Sequence, residues 1–151
     1  MIVGEICNRQ VVVARRTDTV PAAAREMRDY NVGDVVVVDE IEEQRVPIGI
    51  LTDRDIVVVG VAEHAGRMDT LTVGDIMSTT LVTAREDENL FDVLKRMRAH
   101  GIRRLPVVNA DGGLEGIFTH DDAVDLLSEE LADLSALVSR EQKRGRKPAI
   151  S

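Results

Sequence analysis

The chain has 151 residues, of which 44% are hydrophobic and 30% charged, with a formal net charge of −8. This suits one globular domain, or two half-size units sharing a core, and argues against disorder. Aromatics are only 2% with no Trp, and the one basic run is the tail KRGRK (Lys143–Lys147), so the basic face and stacking rings of a nucleic-acid binder are missing. The single cysteine, Cys7, excludes an intrachain disulfide. No apolar run approaches bilayer length, and the first fifteen residues lack a secretory layout. The expectation is a cytoplasmic protein that meets neither membrane nor nucleic acid.

VGEIC (3–7) opens the chain and VGDIM (73–77) repeats it. Laying each residue over the one seventy positions later matches Val3, Gly4, Ile6, Ala14, Arg15, Met27, Arg28, Val37 and Val38 with identical residues. Beyond Asp39 the offset falls to 67, where GILTDRD (49–55) lies over GIFTHDD (116–122). The difference falls between Asp39 and Gly49, where DEIEEQRVPI faces NADGGLE, in a loop that tolerates insertion. The chain is an internal duplication, and each element is predicted twice.

QVVVA (10–14) and TLVTA (80–84) predict a first strand in each copy. Val20, Ala23, Ala24 and Met27, matched by Leu90, Val93, Leu94 and Met97, make one face of an amphipathic helix. Thr19 and Asn89 stand as N-caps, while Asn31 and Gly101 suit the left-handed C′ position. DVVVVD (34–39) and RLPVVN (104–109) predict strands buried on both faces, with Pro106 at a strand start or edge. PIGIL (47–51) and LEGIF (114–118) follow as further strands, and TDRD and THDD each open a helix. DIVVVGVA (55–62) is strand-like by propensity. Its counterpart carries the helical stripe Val124, Leu127, Leu131, Leu134 and Val138, so the repeat predicts a helix in both places.

The predicted fold is therefore α/β (α+β): two β-α-β-β-α repeats packed as a pseudo-two-fold pair, plus a C-terminal helix. The repeats span 1–70 and 71–128, the extended helix 129–142, and a basic disordered tail 143–151.

The chemistry concentrates in two T-x-x-D sets, Thr52 with Asp55 and Thr119 with Asp122. One reading is purely structural, a capping box that satisfies loose backbone N–H groups. The other is a binding site, in which Thr donates to a phosphate oxygen and an ionised Asp accepts from ribose hydroxyls. His64, His100 and His120 are not spaced as metal ligands, and Cys7 reads as a small apolar packing residue. With no Gly-rich phosphate loop and no paired nucleophile and base, an enzyme is not expected.

VGDIM before each copy, YNVGDVVVVDEIEEQRVPIGILTDRD (30–55) and HGIRRLPVVNADGGLEGIFTHDD (100–122) together resemble a tandem pair of cystathionine-β-synthase (CBS) domains, the Bateman module, over residues 1 to about 128. The resemblance implies a non-catalytic regulatory module that commonly dimerises into a flat disc and signals to a partner protein. It also implies two clefts between the copies for AMP, ADP or ATP, and in some members S-adenosylmethionine. Carried over residue by residue, the Thr52/Asp55 cleft would be completed by Met77, Val82, Ile102 and Arg103, with Arg104 close by. The Thr119/Asp122 cleft would be completed by Cys7, Val12, Val32 and Gly33, with Asp34 close by. Arginines favour phosphate and Asp34 would repel it, so the first cleft is expected to be the better nucleotide site. The alternative is a homodimeric scaffold with vestigial clefts, whose working part is the C-terminal helix.

Overall fold

The computed structural model describes residues 1–145, with side chains through Lys143. Residues 1–118 form one compact unit and the chain from Thr119 onward another. In chain order the elements begin α1 (Val3–Ile6), β1 (Val13–Ala14), α2 (Val20–Tyr30), β2 (Asp34–Ile41) and β3 (Gln44–Thr52). A continuous helical segment follows: α3 (Asp53–Asp55), a π-helical stretch (Ile56–Val61), α4 (Ala62–His64) and a 3₁₀ turn (Ala65–Arg67). The second copy runs α5 (Val73–Ile76), β4 (Ala84–Arg85), α6 (Leu90–His100), β5 (Arg104–Val108), β6 (Leu114–Thr119) and α7 (His120–Gly145). Each copy builds a three-stranded sheet, β1-β2-β3 and β4-β5-β6, with the first pair parallel.

Local chemistry sets the helix ends. The Thr19 hydroxyl accepts from the Ala22 N–H and the Asn89 amide oxygen from the Phe91 N–H. Asn31 (φ 52°) and Gly101 (φ 63°) close α2 and α6 in the left-handed conformation. Alternation along β2 then divides the interior. Val35 and Val37 face Val20, Ala23 and Met27 of α2, whereas Val36 and Val38 meet Ile117 of the opposite sheet.

Each lead-in docks on the other copy. Val73 and Gly74 donate their N–H groups to the carbonyls of Asp18 (2.8 Å) and Arg16 (2.9 Å), and Val3 and Gly4 donate to those of Glu88 and Glu86 (both 2.9 Å). Ser78 and Ile50 exchange both backbone bonds (2.9 and 3.1 Å), as do Asn8 and Ile117 (2.9 Å each). Leu71, Val73 and Ile76 are accordingly part of the first copy's core.

Several expectations are corrected. The first strands are two residues long, not five. Residues before Val12 leave the sheet so that Asn8 can bridge to Ile117. In the second copy Pro106 lies in the middle of β5, the central strand, rather than at a start or edge. The equivalent Val36 N–H donates to the Val12 carbonyl (3.0 Å), a bond that proline cannot make, so β4 pairs only from Ala84 onward. The segment 55–62 is helical as the repeat implies, but over Ile56–Val61 it is π-wound. Ile56, Val59 and the buried Gly60 face the core, and this tertiary packing overrides β-branched propensity. Helix α7 continues through Lys143 to Gly145, beyond the expected boundary at 142, and residues 146–151 lie outside the described residues. No helix among the described residues is long and apolar enough to cross a membrane.

The docked lead-ins leave no room at their glycines. A Cβ on Gly4 would lie 2.7 Å from the Glu86 carbonyl oxygen, and one on Gly116 would lie 2.8 Å from that of Asn8. Gly4→Ala and Gly116→Ala are each expected to lose about 1–3 kcal/mol in urea denaturation. Gly66→Ala, whose Cβ would meet nothing within 4 Å, should be close to neutral.

Glu88, beside the docked Val3, carries an ion pair with Arg96. The Arg96 hydrogen bond, chiefly, holds its carboxyl below the ordinary 4.5, with further help from the Arg85 N–H. Its contribution is complete above that ordinary value and is lost as pH falls through the lower folded value. Glu88→Gln should therefore lower stability at neutral pH and flatten the acid limb of the pH–stability curve, as read by urea midpoints.

Candidate functional site

β3 delivers Thr52 to the start of α3, where its extended backbone (φ −104°, ψ 160°) places it at the N-cap. The Thr52 hydroxyl oxygen accepts from the Asp55 N–H (3.1 Å), and Asp55 Oδ2 accepts from the Thr52 N–H (3.0 Å). Thr119 and Asp122 repeat this at 3.2 and 3.1 Å. The capping box is thus present in both copies. It does not exhaust these side chains. A hydroxyl that accepts still has its proton to donate, and a carboxylate engaged through Oδ2 still presents Oδ1. Capping and ligand binding are compatible in one geometry.

Thr52 and Asp55 line a cavity of about 240 Å³ with Ile50 and the loop residues Ser78 and Thr80. Ile102, Arg103 and Arg104 of the second copy complete it. Five of the residues expected here are therefore brought together. Met77 and Val82 are not: Met77 packs on the first copy's core, and neither lines this cavity. Ser78 arrives because its backbone pairs with Ile50, a consequence of lead-in docking. In the sequence it stands in STT (78–80), a loop expected after VGDIM with a hydroxyl able to face a ligand.

The two arginines differ in what they are free to do. Arg104 donates from Nη1 to Asp34 Oδ2, and Asp34 is 9% exposed. Arg103 is exposed and has no hydrogen bond or ion pair among the described residues. Asp34, expected close to the other cleft, neutralises the arginine at its own equivalent position.

The second expected set falls in both units of the chain. Within 1–118, Val12 and Val32 line a separate cavity of about 440 Å³ with Asn8, Gln10, Val11 and Tyr30. Cys7 packs against Gly116, where a Cβ would lie 2.6 Å from its Sγ. Gly33 accepts the Asp53 N–H at its carbonyl (2.9 Å) and lies against the Asp53 carboxylate. Among the described residues, no group of three or more His, Cys, Asp or Glu side chains is placed to hold a metal ion.

A CBS-domain family profile matches residues 3–61 and 73–129. An uncharacterized protein of Methanopyrus kandleri is 39% identical over 124 residues, 82% of this chain, and the match spans 61% of that protein's length. Among solved structures, the CBS domain pair of protein MJ0100, in complex with 5′-methylthioadenosine and S-adenosyl-L-methionine, is similar at a TM-score of 0.73 and 26% identity. That match covers 86% of this chain and 98% of the other. CBSX2 in complex with AMP is similar at 0.72 and 26%, covering 85% and 96%.

Removing Arg104 would strand a buried carboxylate. Arg104→Ala is expected to lower stability by about 2 kcal/mol, discounted for the partial exposure of the pair. Arg103→Ala should stay within about 0.5 kcal/mol. Paired denaturation curves check the contrast.

Proposed function

The chain belongs to the CBS-domain family as a tandem pair, and from that we propose that it is a non-catalytic regulatory module that binds an adenosine compound and passes the bound state to a partner protein. The observation that carries this reading is the Thr52/Asp55 cavity, where a hydroxyl proton and a carboxylate oxygen remain available beside an unpaired guanidinium. Asp55 Oδ1 would accept from the ribose hydroxyls, and the Thr52 hydroxyl and Arg103 would meet a phosphate. Ile50 and Ile102 would flank the base, one from each copy. Relatives solved with AMP and with S-adenosyl-L-methionine share the adenosine moiety, which supports that part of the ligand. A ligand held by Thr52 of one copy and Ile102 of the other favours one arrangement of the two, and that preference is what a partner would sense.

A second reading, a homodimeric scaffold, is favoured by exposed apolar faces. Val57, Val58 and Val61 point outward from the π-helical stretch. On α7, Val124, Leu127, Leu131, Leu134 and Val138 are exposed, Leu131 at 66%, and their alternating spacing of three and four is that of a coiled-coil seam.

A thermal-shift screen with AMP, ADP, ATP and S-adenosylmethionine separates the two. A specific ligand at a hundredfold over its Kd should stabilise by about 2.7 kcal/mol, while no shift with any, in a protein that sediments as a dimer, favours the scaffold. Asp55→Ala should weaken nucleotide binding more than Asp122→Ala; equal losses would contradict the assignment of Thr52 and Asp55 to the better site.

A further inference from the structure

Asp34 starts β2 at the position that Arg104 holds at the start of β5, seventy residues later. These equivalent residues meet each other across the two copies, in an ion pair that joins a nearly buried carboxylate to a cavity-lining guanidinium. Asp34 is also the direct cross-strand neighbour of Thr52. It is the one buried charged residue among the described residues.

We propose that Asp34 determines the ligand selectivity of the Thr52/Asp55 cavity: by holding Arg104 it leaves Arg103 as the single uncommitted lining cation, and so restricts the cavity to adenosine compounds with no more than one phosphate. The proposal rests on the reading that an adenosine compound binds there. Arg103 and Arg104 are balanced by Asp34 and Asp55, so the cavity holds no surplus positive charge. One phosphate can use Arg103 and the Thr52 hydroxyl. A second or third finds a cationic partner only by drawing Arg104 away, and that strands a carboxylate with little access to water. Further phosphates therefore add repulsion that the neutral Ser78 and Thr80 hydroxyls cannot offset. Asp34 acts through Arg104 and need not touch the ligand.

Calorimetric titration of the full chain with adenosine, AMP, ADP and ATP tests this in the wild type, Asp34→Asn and the double variant Asp34→Asn/Arg104→Gln. In the wild type, affinity should rise about tenfold from adenosine to AMP, the worth of one charge-assisted contact, and fall from AMP towards ATP. Asp34→Asn releases Arg104 to a further phosphate, so ADP and ATP should bind about tenfold tighter, with adenosine and AMP changed less than about threefold. The double variant removes the released cation and should restore the wild-type order, which a mere change in folding would not do. A wild-type affinity that climbs steadily from AMP to ATP overturns the proposal without any substitution. So does an Asp34→Asn effect that is the same for AMP and ATP. Failure of all four compounds to bind any of the three proteins overturns the adenosine reading itself, and this proposal with it.

Discussion

Everything in residues 1–118 depends on a reciprocal loan of backbone. Each lead-in satisfies its hydrogen bonds on the copy it does not belong to, and four glycines mark the points of closest approach. Gly4 and Gly74 lie against the carbonyls of Glu86 and Arg16, and Gly49 and Gly116 against those of Ser78 and Asn8. Backbone contact this close admits no side chain, which is why a short pentapeptide is written twice with its glycine in place. The loan also explains the cores. Leu71, Val73 and Ile76 fill the first copy's interior although they belong to the second repeat in sequence.

The candidate site is a by-product of that arrangement. Thr52 comes from the end of β3 and Asp55 from α3, Ser78 from the lead-in docked on β3, and Ile102 and Arg103 from the facing copy. No single copy contains the set. The capping box gives Thr52 and Asp55 fixed orientations, because each side chain is tied at one atom to the other residue's backbone. What remains free is held rigidly, a favourable state for recognising a small ligand.

Much of this was legible in the sequence. The duplication located nearly every element, since two copies choose different residues for one backbone need: Thr19 or Asn89 at an N-cap, Asn31 or Gly101 in a left-handed turn. The same comparison predicted helix over 55–62 against local propensity. Features that depend on contacts between copies were not legible. Gln10 and Val11 look like strand, but the bridge of Asn8 to Ile117 pulls them off the sheet. A repeat comparison equates Asp34 with Arg104 without saying that they touch, because residues near a pseudo-two-fold axis meet their own counterparts. The π-winding of Ile56–Val61 answers to Gly60 packing beside Met68 and Ile76, a tertiary fact. The hairpin between β2 and β3 turns through Glu42 and Glu43, both at positive φ, where Asn or Gly would be the usual choice.

The exchange of lead-ins also bears on ancestry and biosynthesis. A forebear of half this length could have closed its interior only by trading these segments with an identical molecule, so the fusion turned a swapped pair into one chain and replaced dilution by tethering. The order of synthesis is then uneven. Residues 71–78 leave the ribosome just behind the copy they complete, whereas residues 1–8 must wait for partners as distant as Ile117. Residues 1–8 are the last part of the compact unit that can find their place.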